Sequence, residues 1–438
     1  MTAFNKANLR SNAAPEITLL LIEPTGSRRD ITTDNLSPDF TQHMRKQTFL
    51  TCLGTRPEII KMAPVYKALQ AQGNRVQIIH TGQHEAVAHE LYRFFEMPPD
   101  LVIDLQRKSS TLAHLTSALT DGLEAAMRTL QPDVVMVQGD TTSAFIGALI
   151  GYYDDIPVAH IEAGLRTHER DPFPEEKNRE MIGRLARWHF PPTDQARRNL
   201  LAENIPPDQI HQVGNTVIDA ALWTRDRLHK TFGQDNPALP SVAQVFLKKH
   251  ADDRLILITA HRRENWGQPI RQIAQAAAAI LTDHPDTVVI WPVHPNPAVR
   301  LDVENEIAKL PQSVQRRFCL TAPLEYPALI DLLVRCHFTL TDSGGIQEEA
   351  SAFAKPVLVA RNSTERQELV DVGGARLVGT DIDQIRFHAG LLLSNADIYR
   401  QMQVTQSPFG DGLSAQRIAA ILSSSNALTT HDGASLAN

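Results

Sequence analysis

From Met44 onward, short β-rich apolar runs alternate with stretches whose apolar positions recur at helical spacing. The run "TFLTCLG" (48–54) precedes a helix expected from Pro57, with Gly73 just past its end. "RVQIIHTG" (75–82) reads as the next strand, and an amphipathic stretch over 110–130 stops before Pro132. "VVMVQGD" (134–140), a helix over 141–153 and "PVAHIEAG" (157–164) continue the alternation. The strand runs are almost continuously apolar, as in a parallel sheet covered on both faces. "PEEKNREMIGRLARWH" predicts a helix opening at Pro174, with acids in its first turn and Met181, Ile182, Leu185 and Ala186 on one face.

A polar, proline-containing link (about 230–253) precedes a second alternating set. It comprises the strands "RLILITAH" (254–261), "TVVIWPVH" (287–294), "FTLTDSGG" (338–345), "PVLVA" (356–360) and "ARLVGT" (375–380), with an alanine-rich helix over 268–282. Two last helices are expected near 396–403 and 412–423. The pattern predicts an α/β protein of two doubly wound parallel-sheet domains facing across a cleft. The first spans 44–215, with 405–425 packing back on it, and the second spans 216–404. Residues 1–43 are polar and turn-rich apart from "ITLLLIEP" and read as a weakly ordered extension; 426–438 read as a disordered tail.

The length of 438 residues agrees with two domains of similar size. A net charge of -7 argues against a general nucleic-acid binder. No apolar run is long enough for a membrane span, and no signal peptide is visible. Cys52, Cys319 and Cys336 are scattered, apolar in context and without metal-ligand spacing, so they read as buried thiols of a cytoplasmic protein.

Three ionisable residues sit just past the ends of apolar strands: Asp140, Glu162 and His261. Each has an ordinary structural use. Asp140 can cap the following helix, Glu162 can sit in a solvated turn, and His261 can be a hydrogen-bonded structural residue. Three converging on one crevice favour a site, because ligands bind outside the carboxyl ends of such strands. Glu175 follows Glu162 beyond a charged loop. In "DSGGIQEEA" (342–350), Ser343, Gly344 and Gly345 fall between strand and helix, where backbone N–H groups and the helix dipole suit a phosphate. Glu349, one turn on, is placed to accept hydrogen bonds from ribose hydroxyls. Arg56 and Lys61 of "GTRPEIIKMAP" suit a diphosphate, and Arg262 and Arg263 add positive charge. No GxGxxG follows the first strand and no Walker motif occurs, which argues against a nicotinamide cofactor bound there.

Nine segments in order resemble the non-hydrolysing UDP-N-acetylglucosamine 2-epimerases: "GTRPEIIKMAP", "QGDTTSA", "HIEAGLRT", "PFPEEKNR", "VGNTVIDA", "AHRREN", "PVHPNP", "LTDSGGIQEEA" and "GDG" at 410–412. The resemblance spans about residue 48 to 424. It implies two Rossmann-like domains of glycosyltransferase-B-like fold, a homodimer, and interconversion of UDP-N-acetylglucosamine and UDP-N-acetylmannosamine without metal or cofactor. It also implies elimination and re-addition of UDP through a 2-acetamidoglucal intermediate.

By motif match the acid and base residues correspond to Asp140, Glu162, Glu175 and His261. Those that hold UDP correspond to Arg56, Lys61, Ser343, Gly344, Gly345 and Glu349, with Arg179 nearby. Gln83, His84 and His294 match a regulatory second substrate site of bacterial members. Where some members place an aromatic ring near the uracil, this chain offers Leu329, with Tyr326 nearby. The rival readings are a 2-epimerase of a related UDP-diacetamido-uronic acid and a non-catalytic UDP-sugar binding protein.

Overall fold

The computed structural model describes residues 19–21, 46–82, 85–105, 109–233 and 236–424. The first domain follows the expected alternation. After β1 (Leu19–Leu21) come β2 (Thr48–Leu53), α1 (Arg56–Ala71), β3 (Arg75–His80), α2 (Glu85–Phe95), β4 (Leu101–Ile103) and α3 (Leu112–Leu130). Then follow β5 (Val134–Gln138), α4 (Thr142–Tyr153), β6 (Val158–Ile161), α5 (Glu175–Leu185), β7 (Trp188–Phe190) and α6 (Asp194–Ala202). The helix α7 (Thr216–Phe232) leads out, and α8 (Ser241–Lys249) lies where a polar link was expected. Pro240 precedes α8, and only Ala243 of the helix is fully buried, which explains its weak apolar signal.

The second domain contains β8 (Arg254–Thr259), α9 (Gln268–Asp283), β9 (Thr287–Pro292), α10 (Pro297–Ala308), α11 (Gln312–Gln315), β10 (Phe318–Thr321) and α12 (Tyr326–Arg335). It continues through β11 (Phe338–Thr341), α13 (Gly344–Ser351), β12 (Val357–Val359), α14 (Gln367–Asp371), β13 (Ala375–Leu377), α15 (Ile382–Ser394) and α16 (Ala396–Met402). The chain then returns to the first domain in α17 (Ser414–Ser424), which packs against α1 and α7.

The first sheet has the order β1-β4-β3-β2-β5-β6-β7 and the second β10-β9-β8-β11-β12-β13. Every pairing is parallel except that of β1 with β4, where Leu20 faces Val102 in antiparallel register. The rest of the expected extension lies outside the described residues. Both sheets reverse their winding once, between β2 and β5 and between β8 and β11. In doubly wound sheets the ligand crevice opens at that switch point. The loops after these four strands carry Gly54–Thr55, Asp140, His261 and Asp342–Ser343.

One apolar cluster runs from lobe to lobe. Phe49 and Ile59 of the first domain join Leu257 and Ile330 of the second through Val217, Ile218, Ala220 and Ala221 of α7. At α5 and its cap, Ile182 and Ala186 are buried as expected and Leu185 half-buried, whereas Met181 is 41% exposed. A helix on the flank of a sheet buries only a narrow stripe, and Met181 falls just outside it. Among the described residues no helix is long and apolar enough to cross a membrane.

The two crossings of the chain touch at Gly214 and Gly410. Gly214 has φ of 98°, and a Cβ there would stand 2.6 Å from Ser414 Oγ and 3.2 Å from Gly410 Cα. Gly214→Ala is therefore expected to lower the unfolding free energy by about 2–4 kcal/mol. Urea titration measures it, and an unmoved midpoint would show that the two crossings are not locked together.

Candidate active site

The loop after β2 is organised by Glu58, which is 1% exposed. Its Oε2 accepts from Gly54 N–H (2.9 Å), Thr55 N–H (2.7 Å) and Thr55 Oγ1 (2.8 Å), and its Oε1 accepts from Thr141 Oγ1 (2.6 Å). The same carboxylate thus ties the loop after β2 to the loop after β5. Burial nevertheless pushes its pKa up. Sequence reading passed over Glu58, although a Thr-x-x-Glu spacing at a helix start is a recognisable signal.

Thr141, not Asp140, caps α4, its hydroxyl accepting from Ala144 N–H at 3.0 Å. That leaves the Asp140 carboxylate for the cleft, where Oδ2 meets Arg179 Nη2 at 2.5 Å. Burial raises the Asp140 pKa; Arg179 opposes this, while the nearby Glu162 and Glu175 charges add to it. Glu175 stands half-buried in the first turn of α5 and, among the described residues, has no hydrogen-bond or ion-pair partner. Arg179, expected among the groups that hold the nucleotide, pairs with Asp140 and with Glu176 at 3.3 Å.

Glu162 follows β6 with φ of 64°, a left-handed conformation uncommon for a residue with a Cβ. That backbone turns its side chain into a nest of donors. Lys61 Nζ stands 2.5 Å from Oε1, Asn215 Nδ2 donates to Oε1 at 3.1 Å, and the Gln138 amide donates to Oε2. Burial alone would raise this carboxyl, but Lys61, Arg366 and the hydrogen bonds hold it below the ordinary range. Lys61 also approaches Glu348 Oε2 of the second domain at 4.0 Å, and Arg366 Nε donates to Glu348 Oε1 at 2.8 Å. A charge chain Glu162–Lys61–Glu348–Arg366 thus crosses between the lobes. Glu348 and Arg366 were not singled out from the sequence; they belong to segments rich in acids and arginines, where pairing is decided by distance.

On the second domain, Asp342 is fully buried and gathers the loop after β8. Its Oδ2 accepts from the N–H groups of His261 and Arg262 and from Asn265 Nδ2, each at 2.9 Å. His261 is 51% exposed, with Nδ1 3.3 Å from Asp342 Oδ1; it is not among the residues that line the cleft. Ser343 caps α13 through its backbone, its hydroxyl making no cap bond. At Gly344 a Cβ would meet the Arg366 guanidinium at 3.0 Å, whereas at Gly345 only Ser343 Oγ lies within 4.0 Å. The two glycines therefore serve differently: the first admits an arginine, the second leaves open approach to the helix start.

Glu349 is buried and unpartnered among the described residues. Burial and Glu348 push its pKa up to about 8, against Lys61 and Arg56. Arg56, the first residue of α1, is thus close enough across the domain boundary to weaken that rise. Arg262 lines the cleft as expected, while the Arg263 guanidinium lies 5.9 Å over the Trp266 ring instead. Tyr326 is buried against Phe95 with ring centroids 5.9 Å apart, so it does not present a face to a base. His294 accepts from Asn296 N–H at 3.1 Å and lies 5.4 Å from the Trp266 ring. Gln83 and His84 lie outside the described residues. No group of three or more His, Cys, Asp or Glu among the described residues is placed to hold a metal ion.

The cleft has a volume of about 660 Å³ and takes walls from both domains, including Lys61, Asp140, Glu162 and Arg179 from one and Arg262 and Arg366 from the other. A larger cavity of about 800 Å³ lies elsewhere, between α7, α8 and α12, but it holds none of these groups. Chemistry rather than size identifies the site.

Two Rossmann-like domains closing on a cleft lined by acids and arginines define a glycosyltransferase-B-like protein. The chain matches the UDP-N-acetylglucosamine 2-epimerase family over residues 67–423 and belongs to it; it is an isomerase. It is 42% identical over 372 residues to the UDP-N-acetylglucosamine 2-epimerase of Yersinia pestis, covering 84% of this chain and 96% of that one. With the Bacillus subtilis protein of the same name the identity is 41% over 378 residues, covering 86% and 94%. The crystal structure of UDP-GlcNAc 2-epimerase from Neisseria meningitidis bound to UDP-GlcNAc superposes with a TM-score of 0.74 at 35% identity, covering 86% of this chain and 99% of that one.

A carboxyl shifted upward from 4.5 to about 8 lends stability that is full below pH 4.5 and lost as pH rises through 8. Glu349→Gln removes that dependence. The variant is expected to gain on the parent as pH rises from 5.5 to 8.5, by on the order of 2 kcal/mol in urea unfolding. Parallel curves would show that Glu349 is ionised in the folded chain.

Proposed function

We propose that this chain interconverts UDP-N-acetylglucosamine and UDP-N-acetylmannosamine by eliminating UDP and adding it back. One carboxylate takes the C2 proton as the C1–O bond breaks, its electron pair leaving with UDP, and C1=C2 forms in a 2-acetamidoglucal. A second acid then protonates C2 on the opposite face while UDP oxygen attacks C1. The sugar regains a single bond, and each acid ends with the proton state the other began with.

The observation that carries this reading is a pair of acids in one cleft with opposite shifts: Glu162 is held low by its cations, while Asp140 is pushed up by burial and its acidic neighbours. Environments that drive two carboxyls apart are how a site supplies a base and an acid together. In this reading Glu162, held ionised by Lys61 and Arg366, takes the proton and Asp140 supplies one, with Glu175 beside Asp140. His261, held by Asp342, is assigned to the departing diphosphate in this reading. Arg56, Ser343, Gly345 and Glu349 form the nucleotide side, where α13 presents its N-terminus. Glu349, protonated at neutral pH, can both donate to and accept from ribose hydroxyls.

Homodimerisation and a cytoplasmic setting are part of the same proposal. The first draws on Tyr152 and Tyr153, exposed together at the end of α4, the second on three free, buried cysteines. Arg262 lines the cleft with no ion pair within reach among the described residues, so a uronic-acid substrate has a cation to meet. Assaying UDP-N-acetylglucosamine beside the diacetamido-uronic sugar separates the two substrates.

Asp140→Asn, Glu162→Gln and Glu175→Gln are each expected to lower kcat by a factor of about 100 or more, with UDP affinity within a few-fold. Turnover and deuterium uptake at C2 from heavy water measure the chemistry, and calorimetry measures UDP binding. Near-normal turnover in any one removes that residue from the mechanism. The absence of C2 exchange in the parent chain would remove the mechanism itself.

A further inference from the structure

Two family motifs have no part in the chemistry above: "VGNTVIDA" and the "GDG" turn at 410–412. They meet at Asn215, which is 3% exposed and uses every polar group it has. Its Oδ1 caps α7 by accepting from Val217 N–H at 3.0 Å. Its Nδ2 donates to Glu162 Oε1 at 3.1 Å. Its backbone N–H donates to the Phe409 carbonyl at 2.6 Å, on the segment returning from the second domain. Asn215 therefore sits where both crossings of the chain are joined, one hydrogen bond from the cleft.

We infer that Asn215 is a positioning residue for Glu162, its amide fixing the carboxylate in the orientation in which it exchanges a proton with the sugar. The inference rests on the acid–base reading of Glu162 given above. The residue type is the argument. Aspartate and serine cap a helix about as well as asparagine, so capping alone does not require an amide. Only asparagine offers an acceptor to the helix and a donor to the carboxylate at once. Aspartate, of the same shape, would set a second anion against Glu162; serine would cap but fall short of it.

The other groups around Glu162 come from every side. Lys61 reaches it from α1 and Arg366 from the loop after β12. The Gln138 amide meets it from the end of β5, and Asp140 lies in the loop beyond. His160, two residues earlier on β6, is kept neutral by burial, with its pKa lowered to about 3. Lys61 and Arg366 supply charge, but each is shared with Glu348. The neutral Asn215 donor is committed to Glu162.

The test compares Asn215→Ser and Asn215→Asp with the parent chain and with Glu162→Gln. UDP affinity is expected to stay within threefold for both Asn215 variants. We expect kcat to fall about tenfold in Asn215→Ser and further in Asn215→Asp, because a hydrogen bond to a charged group is lost and then replaced by repulsion. The acid limb of kcat/KM should move up by about one pH unit in the serine variant and more in the aspartate variant. If Asn215→Ser fails to fold, Asn215→Asp, matched in shape and capping, carries the comparison. Both variants within threefold of the parent in kcat, with an unmoved acid limb, would overturn the inference while Glu162→Gln is inactive. Normal turnover in Glu162→Gln would instead overturn the acid–base reading, and the inference with it.

Discussion

An ammonium removed from water has to be paired, and Lys61 is paired on both sides of a domain boundary. Its Nζ touches Glu162 at 2.5 Å and stands 4.0 Å from Glu348, which Arg366 in turn neutralises. Removing one partner from such a buried set typically costs about 3–5 kcal/mol, because the remaining charge is stranded. Much of the site follows from this arrangement. Glu162 is ionised because Lys61 and Arg366 face it. Glu349, buried next to Glu348 and without an ion pair among the described residues, takes a proton instead, against the weaker pull of Lys61 and Arg56. Burial, with Glu162 and Glu175 nearby, also pushes the Asp140 pKa up, against Arg179. The cations Lys61 and Arg366 thus hold Glu162 ionised while burial pushes Glu349 toward its protonated form.

The charges keep this geometry because the lobes are joined by more than charge. The α7 helix belongs to the apolar cluster of both domains, packing on α1 from one side and on α12 and α13 from the other. At its first turn the chain passes close to its own return path at Phe409 and Gly410. Asp219 in that turn accepts from Ala415 N–H at 2.8 Å, so the start of α17 is held by the same helix. Burial raises the Asp219 pKa to about 6. The crossing is a packed and hydrogen-bonded joint, and the cleft opens directly above it.

Much of this was legible along the chain. Strands buried on both faces are apolar throughout, so Asp140, Glu162 and His261 stand out as the first ionisable groups after them. Ser343–Gly345 and Glu349 were legible because helix starts have a narrow chemistry. The short strands β4, β7 and β10 were missed. Glu58, Asp342 and Asn215 were missed as working residues because of where their partners lie. Each acts through partners in distant segments: Thr141 lies 83 residues from Glu58, His261 81 from Asp342, and Glu162 53 from Asn215.

The sequence by itself determined the two-domain α/β plan, the ends of the strands and the kinds of group gathered there, because periodicity, glycine placement and helix-start chemistry are local properties. Tertiary structure decided which acids are charged. A carboxylate's state depends on the cations and the burial around it, and these come from both lobes. Nothing in the order of residues singles out Glu162 and Glu348 until the fold sets Lys61 against Glu162 and Arg366 against Glu348.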